Sequence, residues 1–315
     1  MNLDLPELAT EFAAAAARAF GDLGGVDCAR RAEADPAVRQ VEVAKALDGL
    51  GAMDVDPRSD VDSAAAAGEL CRMAGRNALP YPVASLVMRG REDGLPFAVV
   101  GDDRPRVDHG DLFGEWRIST LDGRSKRAGL AAPRLASKLG PFVNDLEPGR
   151  ELDSSTRFDV SLHLALSGWS VLGSVERALE LAVHHVSDRV QFGQRISEFQ
   201  AVQFQLADAA VAVDGLRELC RFTLWRLFAD RDQATADGLA LRLFALDSAR
   251  SVLRTSQQLH GASGLCDEYD ISVLCRHVQP QLRIPFGVER TASELFSAVA
   301  TLGFAGLFPH GGRTP

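Results

Sequence analysis

The chain has 315 residues, with 43 acidic side chains against 34 lysines and arginines and a formal net charge of −9. That balance argues against a nucleic-acid binder, which neutralises phosphates with a basic face, and a composition of 46% hydrophobic and 24% charged residues argues against wholesale disorder. No stretch reaches the ~18–20 uninterrupted apolar residues of a membrane helix, the start MNLDLPELATEF lacks the basic-then-apolar order of a secretory signal, and the scattered cysteines Cys28, Cys71, Cys220, Cys266 and Cys275 form no CxxC pair. The expectation is a cytoplasmic protein with neither a disulfide framework nor a metal site.

Leu8, Phe12, Ala15, Ala16 and Phe20 recur at three-to-four spacing and predict a first helix, broken at Gly24–Gly25. A second helix is predicted over Asp35–Leu50, on Val38, Val41, Val43, Ala46 and Leu47. A third runs from Asp60 to about Gly75, with Leu70 and Met73 on its apolar side. Pro80 and Pro82 close this helical region. From Pro96 to Pro148, the short apolar runs PFAVVG, EWRIST and the stretch around Gly129–Leu135 alternate with Gly, Pro and Asp, which predicts short strands joined by tight turns. Four long periodic stretches follow, Asp159–Ser187, Ser197–Arg231, Ala234–Gly261 and Val288–Gly303, and predict an antiparallel helical bundle. The fold class is therefore mainly α with a small β insert: an N-terminal helical domain (residues 1–95), a reduced middle β domain (96–152) and a C-terminal four-helix bundle (153–315).

The most informative segment is Arg189-Val-Gln-Phe-Gly-Gln-Arg-Ile-Ser-Glu-Phe-Gln-Ala-Val-Gln-Phe-Gln-Leu-Ala-Asp208. It reads as a helix ending near Arg189, a turn at Gly193, and a new helix with Ser197 as N-cap and Gln200 as its capping-box partner. An arginine beside the exposed amides of a helix start suits a phosphate; an ordinary helix hairpin with a surface arginine fits the same residues. His184, His185 and His260 lack a third ligand at helical spacing, which argues against a metal. Arg124, Lys126 and Arg127 form the one concentrated basic patch, and read more naturally as a solvated β turn than as a contact for a coenzyme phosphate.

The segment resembles the acyl-CoA dehydrogenases, in which an arginine, then QFG, FQ(A/S)VQ and LAD follow one another. A second likeness lies in Gln258-Leu-His-Gly-Ala-Ser-Gly-Leu-Cys-Asp-Glu-Tyr, and a weaker one in ALDGLGAMDVDP with GELCRMAGRNALPYPV. The resemblance implies an α–β–α fold and an FAD that lies across a subunit interface. In that family the neighbouring subunit's QFG arginine and phenylalanine, with the glutamine and glycines of the second motif, meet the flavin pyrophosphate and adenine. Carried over, the cofactor-binding candidates are Arg189, Gln191, Phe192, Gln258, Gly261 and Ala262, the last standing where a second glycine is usual.

The other half of such a site is missing. Between Pro82 and Leu152 nothing resembles the family's T-E-P-x-A-G-S-D loop, and the catalytic glutamate of its Y-E-G-T segment falls at Pro285 or Phe286. The alternative base position, early in the first bundle helix, falls at His163. A histidine there either serves as an unconventional base or is a polar residue on the solvent or interface face of an apolar helix; Glu289 is a weaker candidate still. One intact and one eroded half imply the non-catalytic subunit of a heteromeric dehydrogenase, resembling the paired enzymes of actinobacterial steroid side-chain oxidation. The implied partners are a second acyl-CoA dehydrogenase-like subunit in a heterotetramer, an acyl-CoA substrate and an electron-transfer flavoprotein. The alternatives are a self-sufficient homomeric dehydrogenase and a flavin-free dimerisation relic.

Overall fold

The structure, a computed structural model, describes residues 5–90, 92–101, 104–132, 139–231 and 234–302. Helix α1, Glu7–Asp22, buries Ala9, Ala16 and Phe20. It stops at Gly24 and Gly25, both at positive φ, a conformation that costs a glycine nothing in Cβ contacts. The chain turns at once into α2, Val26–Ala34. The sequence pattern missed this helix because Asp27, Arg30, Arg31 and Glu33 leave too short an apolar stripe to show a period. The helix predicted over Asp35–Leu50 starts late and opens with a π-helical turn, Arg39–Val43, before α3, Ala44–Gly49. That turn carries Arg39, only 2% exposed, toward the β region, in keeping with the tendency of π-turns to re-aim side chains. Helix α4, Val61–Arg76, is capped by Asp60, which accepts from the Ser63 amide at 2.8 Å. A short α5, Val83–Val87, follows Pro82.

Five strands, β1 (Phe97–Val99), β2 (Arg106–Asp108), β3 (Glu115–Ser119), β4 (Ser125–Leu130) and β5 (Val143–Leu152), form one sheet in the order β1-β3-β4-β5-β2. Only β1 and β3 pair in parallel. The sheet keeps a small core of its own around Trp116, Ile118, Val107 and Leu146, and the buried Trp116 indole donates to the Gly110 carbonyl at 3.0 Å. The end of the Gly129–Leu135 stretch lies outside the described residues.

The bundle consists of α6 (Arg157–Asp188), α7 (Gln200–Ala229), α8 (Ala234–His260) and α10 (Val288–Leu302), with a further helix α9, Asp270–Arg283, packed on α6, α8 and α2. The pattern passed over α9 because Pro280 and two glutamines interrupt its apolar face. Helix α6 opens with a reciprocal capping box between Thr156 and Asp159, and Arg58 donates to the same Asp159 carboxylate at 2.6 Å.

The N-terminal helices do not stand apart from the bundle. Helices α4 and α6 cross with Gly75 and Gly173 at the contact, where a Cβ on either would overlap the Ser170 or Arg72 carbonyl of the other helix. The Glu176 carboxylate, 5% exposed, accepts from Arg72 at 2.8 Å, Arg76 at 3.2 Å and Arg217 at 3.1 Å, tying α4, α6 and α7 together. Phe20, Leu70, Trp169, Leu172, Val252 and Leu274 accordingly belong to one continuous core.

Candidate functional site

The two motifs meet at one exposed end of the bundle. Helix α6 ends at Asp188 with Arg189 as its C-cap. The two-residue strands β6 (Val190–Gln191) and β7 (Gln194–Arg195) then form a hairpin. Its turn residues, Phe192 at φ 54° and Gly193 at φ 84°, have the signs of a type I′ turn, which matches the strand twist. Glycine adopts that conformation freely, whereas the Phe192 backbone carries about 1–2 kcal/mol of strain. Its ring is 92% exposed, with an edge contact to Phe199 at 6.2 Å. A bulky side chain held in solvent by a strained backbone points to use by something outside the chain.

The expected capping box at Ser197 does not form. Ser197 lies in a 3-10 turn, Ile196–Glu198, and α7 begins at Gln200 with Phe199 in the N-cap position and no side-chain cap. Gln203 donates instead to the Ser197 carbonyl at 3.0 Å. The packing of half-buried Ile196 and Phe199 overrides the local capping preference. A 30-residue helix is thus left with first-turn amides that no side chain satisfies, open to an external anion. Arg189, beside them, is exposed and makes no side-chain hydrogen bond or ion pair among the described residues.

The second motif arrives by α8. Gln258 is exposed near its end, and Gly261, at φ 62°, starts the 3-10 turn Gly261–Leu265 with Ala262 exposed beside it. The His260 ring stacks on that of His185 from α6, centroids 4.4 Å apart, and this contact joins the ends of α6 and α8. Burial, then His260 and Arg189, push the His185 pKa down. Around this end Val183, Val190, Phe204, Val211, Leu265 and Tyr269 are large, apolar and exposed, a patch of the kind that marks an interface.

The second location is internal. A cavity of about 110 Å³ lies between α4, β1, β2, α6 and α9, and its lining includes Ser85, Asp108, His163, His277 and Pro285. Both positions at which the resemblance puts a carboxylate base therefore face one space, and neither supplies one. Phe286 is buried. His163 is also buried, which corrects the expectation of a solvent or interface face: its Nε2 lies 3.3 Å from Ser85 Oγ, its ring meets Phe97 edge-on at 5.5 Å, and its Nδ1 has no partner among the described residues. Burial, helped by Arg242 and Arg58, pushes its pKa down to about 3. A base so far below working pH is poorly matched to proton abstraction. Glu289 is exposed on the first turn of α10.

Sequence reasoning missed the other charged groups here. Burial raises the Asp108 pKa to about 7, against the lowering effects of the His109 amide and Arg39. Burial and Arg39 hold His109 well below the usual histidine range. Glu33 accepts from His277 at 2.7 Å, which with Arg276 lowers its pKa to about 2. Arg242, 4% exposed, donates to the Ile284 and Phe286 carbonyls at 2.9 and 2.6 Å and so clamps the turn around Pro285. No local signal in RVDHG or LRLFAL announces these roles; only the topology unites them.

The remaining candidates are surface features. Arg124 pairs with Asp122 at 2.7 Å and Arg127 with Glu115 at 2.6 Å, and His184 lies 3.2 Å from Asp188. Among the described residues no group of three or more His, Cys, Asp or Glu side chains is arranged to hold a metal ion, and no helix is long and apolar enough to cross a membrane.

Comparison with known proteins bears on both locations, since residues 165–294 match the family model described as acyl-CoA dehydrogenase, C-terminal domain. This stretch is similar to the C-terminal domain of the acyl-CoA dehydrogenases. The probable acyl-CoA dehydrogenase YngJ of Bacillus subtilis is 34% identical over 105 residues, 33% of this chain and 27% of the relative. The cyclohex-1-ene-1-carbonyl-CoA dehydrogenase of Syntrophus aciditrophicus is 30% identical over 120 residues, 38% of this chain and 29% of the relative. The matched regions thus span less than a third of these relatives' own lengths. Over the whole chain the likeness is one of fold. The ChsE4-ChsE5 complex from Mycobacterium tuberculosis superimposes with a TM-score of 0.74 at 17% identity, over 96% of this chain and 99% of that one. The Tcur3481-Tcur3483 steroid ACAD gives a TM-score of 0.73 at 18% identity, over 93% and 97%. The matched stretch holds both motifs of the exposed end and the residues of α9 that line the cavity with His163.

Proposed function

We propose that this chain is the reduced, non-catalytic subunit of a heteromeric, FAD-dependent acyl-CoA dehydrogenase. It works in the cytosol beside a second acyl-CoA dehydrogenase-like subunit in a heterotetramer. One observation carries the reading: the motif end is exposed and uncommitted, while the cavity where a base belongs contains Pro285 and a neutral His163. Arg189 and the open amides of α7 suit the flavin pyrophosphate. Phe192, Gln191, Gln258, Gly261 and Ala262 suit the adenine side. The flavin, when bound, supplies the hydride acceptor for α,β-desaturation of an acyl-CoA thioester. The partner then provides the ring pocket, the acyl cleft and the glutamate that takes the α proton. The fold neighbours described as a steroid ACAD and as a two-protein complex support a steroid side-chain CoA as substrate and a heteromeric assembly. A fold neighbour described as an electron transferring flavoprotein of Acidaminococcus fermentans accords with a protein of that class as electron acceptor.

The test is the visible absorption spectrum and native mass of the chain, purified alone and co-expressed with the partner. A colourless single chain and a yellow complex holding one FAD per pair is the expected result. Flavin binding and acyl-CoA turnover by the chain alone would overturn the reading.

A further inference from the structure

The His185–His260 stack sits where the two motif segments leave the bundle. His185 is in the last turn of α6 and His260 is the last residue of α8, with 25° between the ring planes. Beyond the pair, α6 runs into the hairpin of β6 and β7, and α8 into the Gly261–Leu265 turn. Among the described residues no hydrogen bond or ion pair joins residues 183–195 to residues 253–266. Apart from apolar packing, the ring stack is therefore the contact that holds the two segments together.

The pair is arranged for uncharged rings. His260 Nδ1 lies 2.7 Å from the Ser256 carbonyl, so this nitrogen donates, and Nε2 takes a proton only if the ring becomes a cation. Burial, then His260 and Arg189, disfavour a proton on His185; His184 adds to them and Asp188 opposes them. That carboxylate is already 3.2 Å from His184, at an exposed place. The neighbouring segments carry Arg195 on β7, Glu198 in the following 3-10 turn, and Asp267 and Glu268 beyond Leu265. None of these makes an ion pair with either ring among the described residues, and Asp267 is held by Arg276 at 2.9 Å. A positive charge entering the stack thus meets Arg189 and a second imidazole, with no carboxylate bound to either of the stacked rings.

We propose that this stack is an acid-sensitive joint, which keeps the Arg189–Arg195 hairpin against the Gly261–Leu265 turn at neutral pH and releases them when the pair takes up a proton. In the open form His185 binds a proton near the ordinary histidine value of about 6.5. In the closed form it does so only at lower pH, so acid favours the open form. Opening separates Arg189 and Phe192 from Gln258 and Gly261, and the exposed end offers a single surface only above that range. The inference concerns the chain by itself and does not rest on the shared-flavin reading.

The experiment follows hydrogen exchange of the full chain by mass spectrometry at pH 7.5 and 5.5, with rates converted to protection factors to remove the intrinsic effect of pH. Protection in peptides spanning 186–196 and 258–266 should fall roughly fivefold to tenfold on acidification, the span that one such proton site allows. His184→Gln should show the same fall. His185→Phe, which keeps a ring but no titrating nitrogen, should show none. Independently of that variant's folding, the His185 ring resonance of the wild type, assigned by its loss in His185→Gln, should titrate below about 6.5. Wild-type protection indifferent to pH, an equal fall in α4, an unaltered fall in His185→Phe, or a His185 resonance that titrates at about 6.5 or above would overturn the proposal.

Discussion

The exposed end of the bundle and the inner cavity use the same residue types in opposite ways. In and around the cavity the charged groups described above are paired or neutralised. Arg39 is held by Asp111, Glu33 by His277 and Arg276, and Arg242 by two carbonyls, while burial drives His163 and His109 down and Asp108 up toward their uncharged forms. At the motif end Arg189, the α7 amides and the Phe192 ring have no partner of that kind among the described residues. Polar groups closed on one another maintain a fold, whereas polar groups left open at a solvent face are available to another molecule. The contrast teaches that the open polar groups of this pair of locations lie at the surface, and the closed ones around the cavity.

The largest expected effect is at the motif end. Arg189→Ala should weaken flavin retention by the hetero-complex roughly tenfold to a hundredfold, since a charge-assisted contact is worth about 1.5–3 kcal/mol, with the thermal midpoint unchanged. Equal flavin content by absorbance in the variant would break the contrast. Arg242→Met should do the reverse, lowering stability to denaturant by about 3 kcal/mol because two carbonyls lose their donor in a buried place, while the flavin content of the folded complex stays the same.

Asp108→Asn sharpens the cavity side through pH. Folded Asp108 keeps a proton to about pH 7, whereas the unfolded chain releases it near 4. Wild-type stability from this group is therefore lost as pH rises through that window. The asparagine variant should gain about 2–4 kcal/mol at pH 7.5, shrinking to near zero by pH 4. His163 contributes the opposite slope, because its depressed pKa costs stability as pH falls below the ordinary histidine range, so the difference between variant and wild-type melting curves is the quantity to follow. The smallest effects concern caps: Thr156→Ala should cost about 1 kcal/mol, and Ser197→Ala less than about 0.5 kcal/mol, measured by chemical denaturation. Equal costs would restore the capping box that the structure lacks.

Elements with a long period or a strong stop were legible from the residues. The glycine pair after α1, the aspartate before α4 and the apolar repeats of α6, α7, α8 and α10 specify those helices locally, because each carries its own burial pattern and terminator. The helices α2 and α9 were not legible, since charges in one and Pro280 in the other blur the period; packing against neighbours decides them. The same holds for Ser197, where the packing of Phe199 outweighs a good capping sequence.

The motif residues were equally readable as a set, from Arg189 to Phe192 and from Gln258 to Ala262, but their meeting depends on the His185–His260 stack. What the sequence by itself determined was the helical skeleton, the small sheet and the absence of a glutamate at either expected position. Tertiary structure decided that Pro285 and His163 face one cavity and that His163 is held neutral there. Electrostatic environment is a property of what surrounds a group in space, and β2, α6 and α9, which set it here, are remote from one another along the chain.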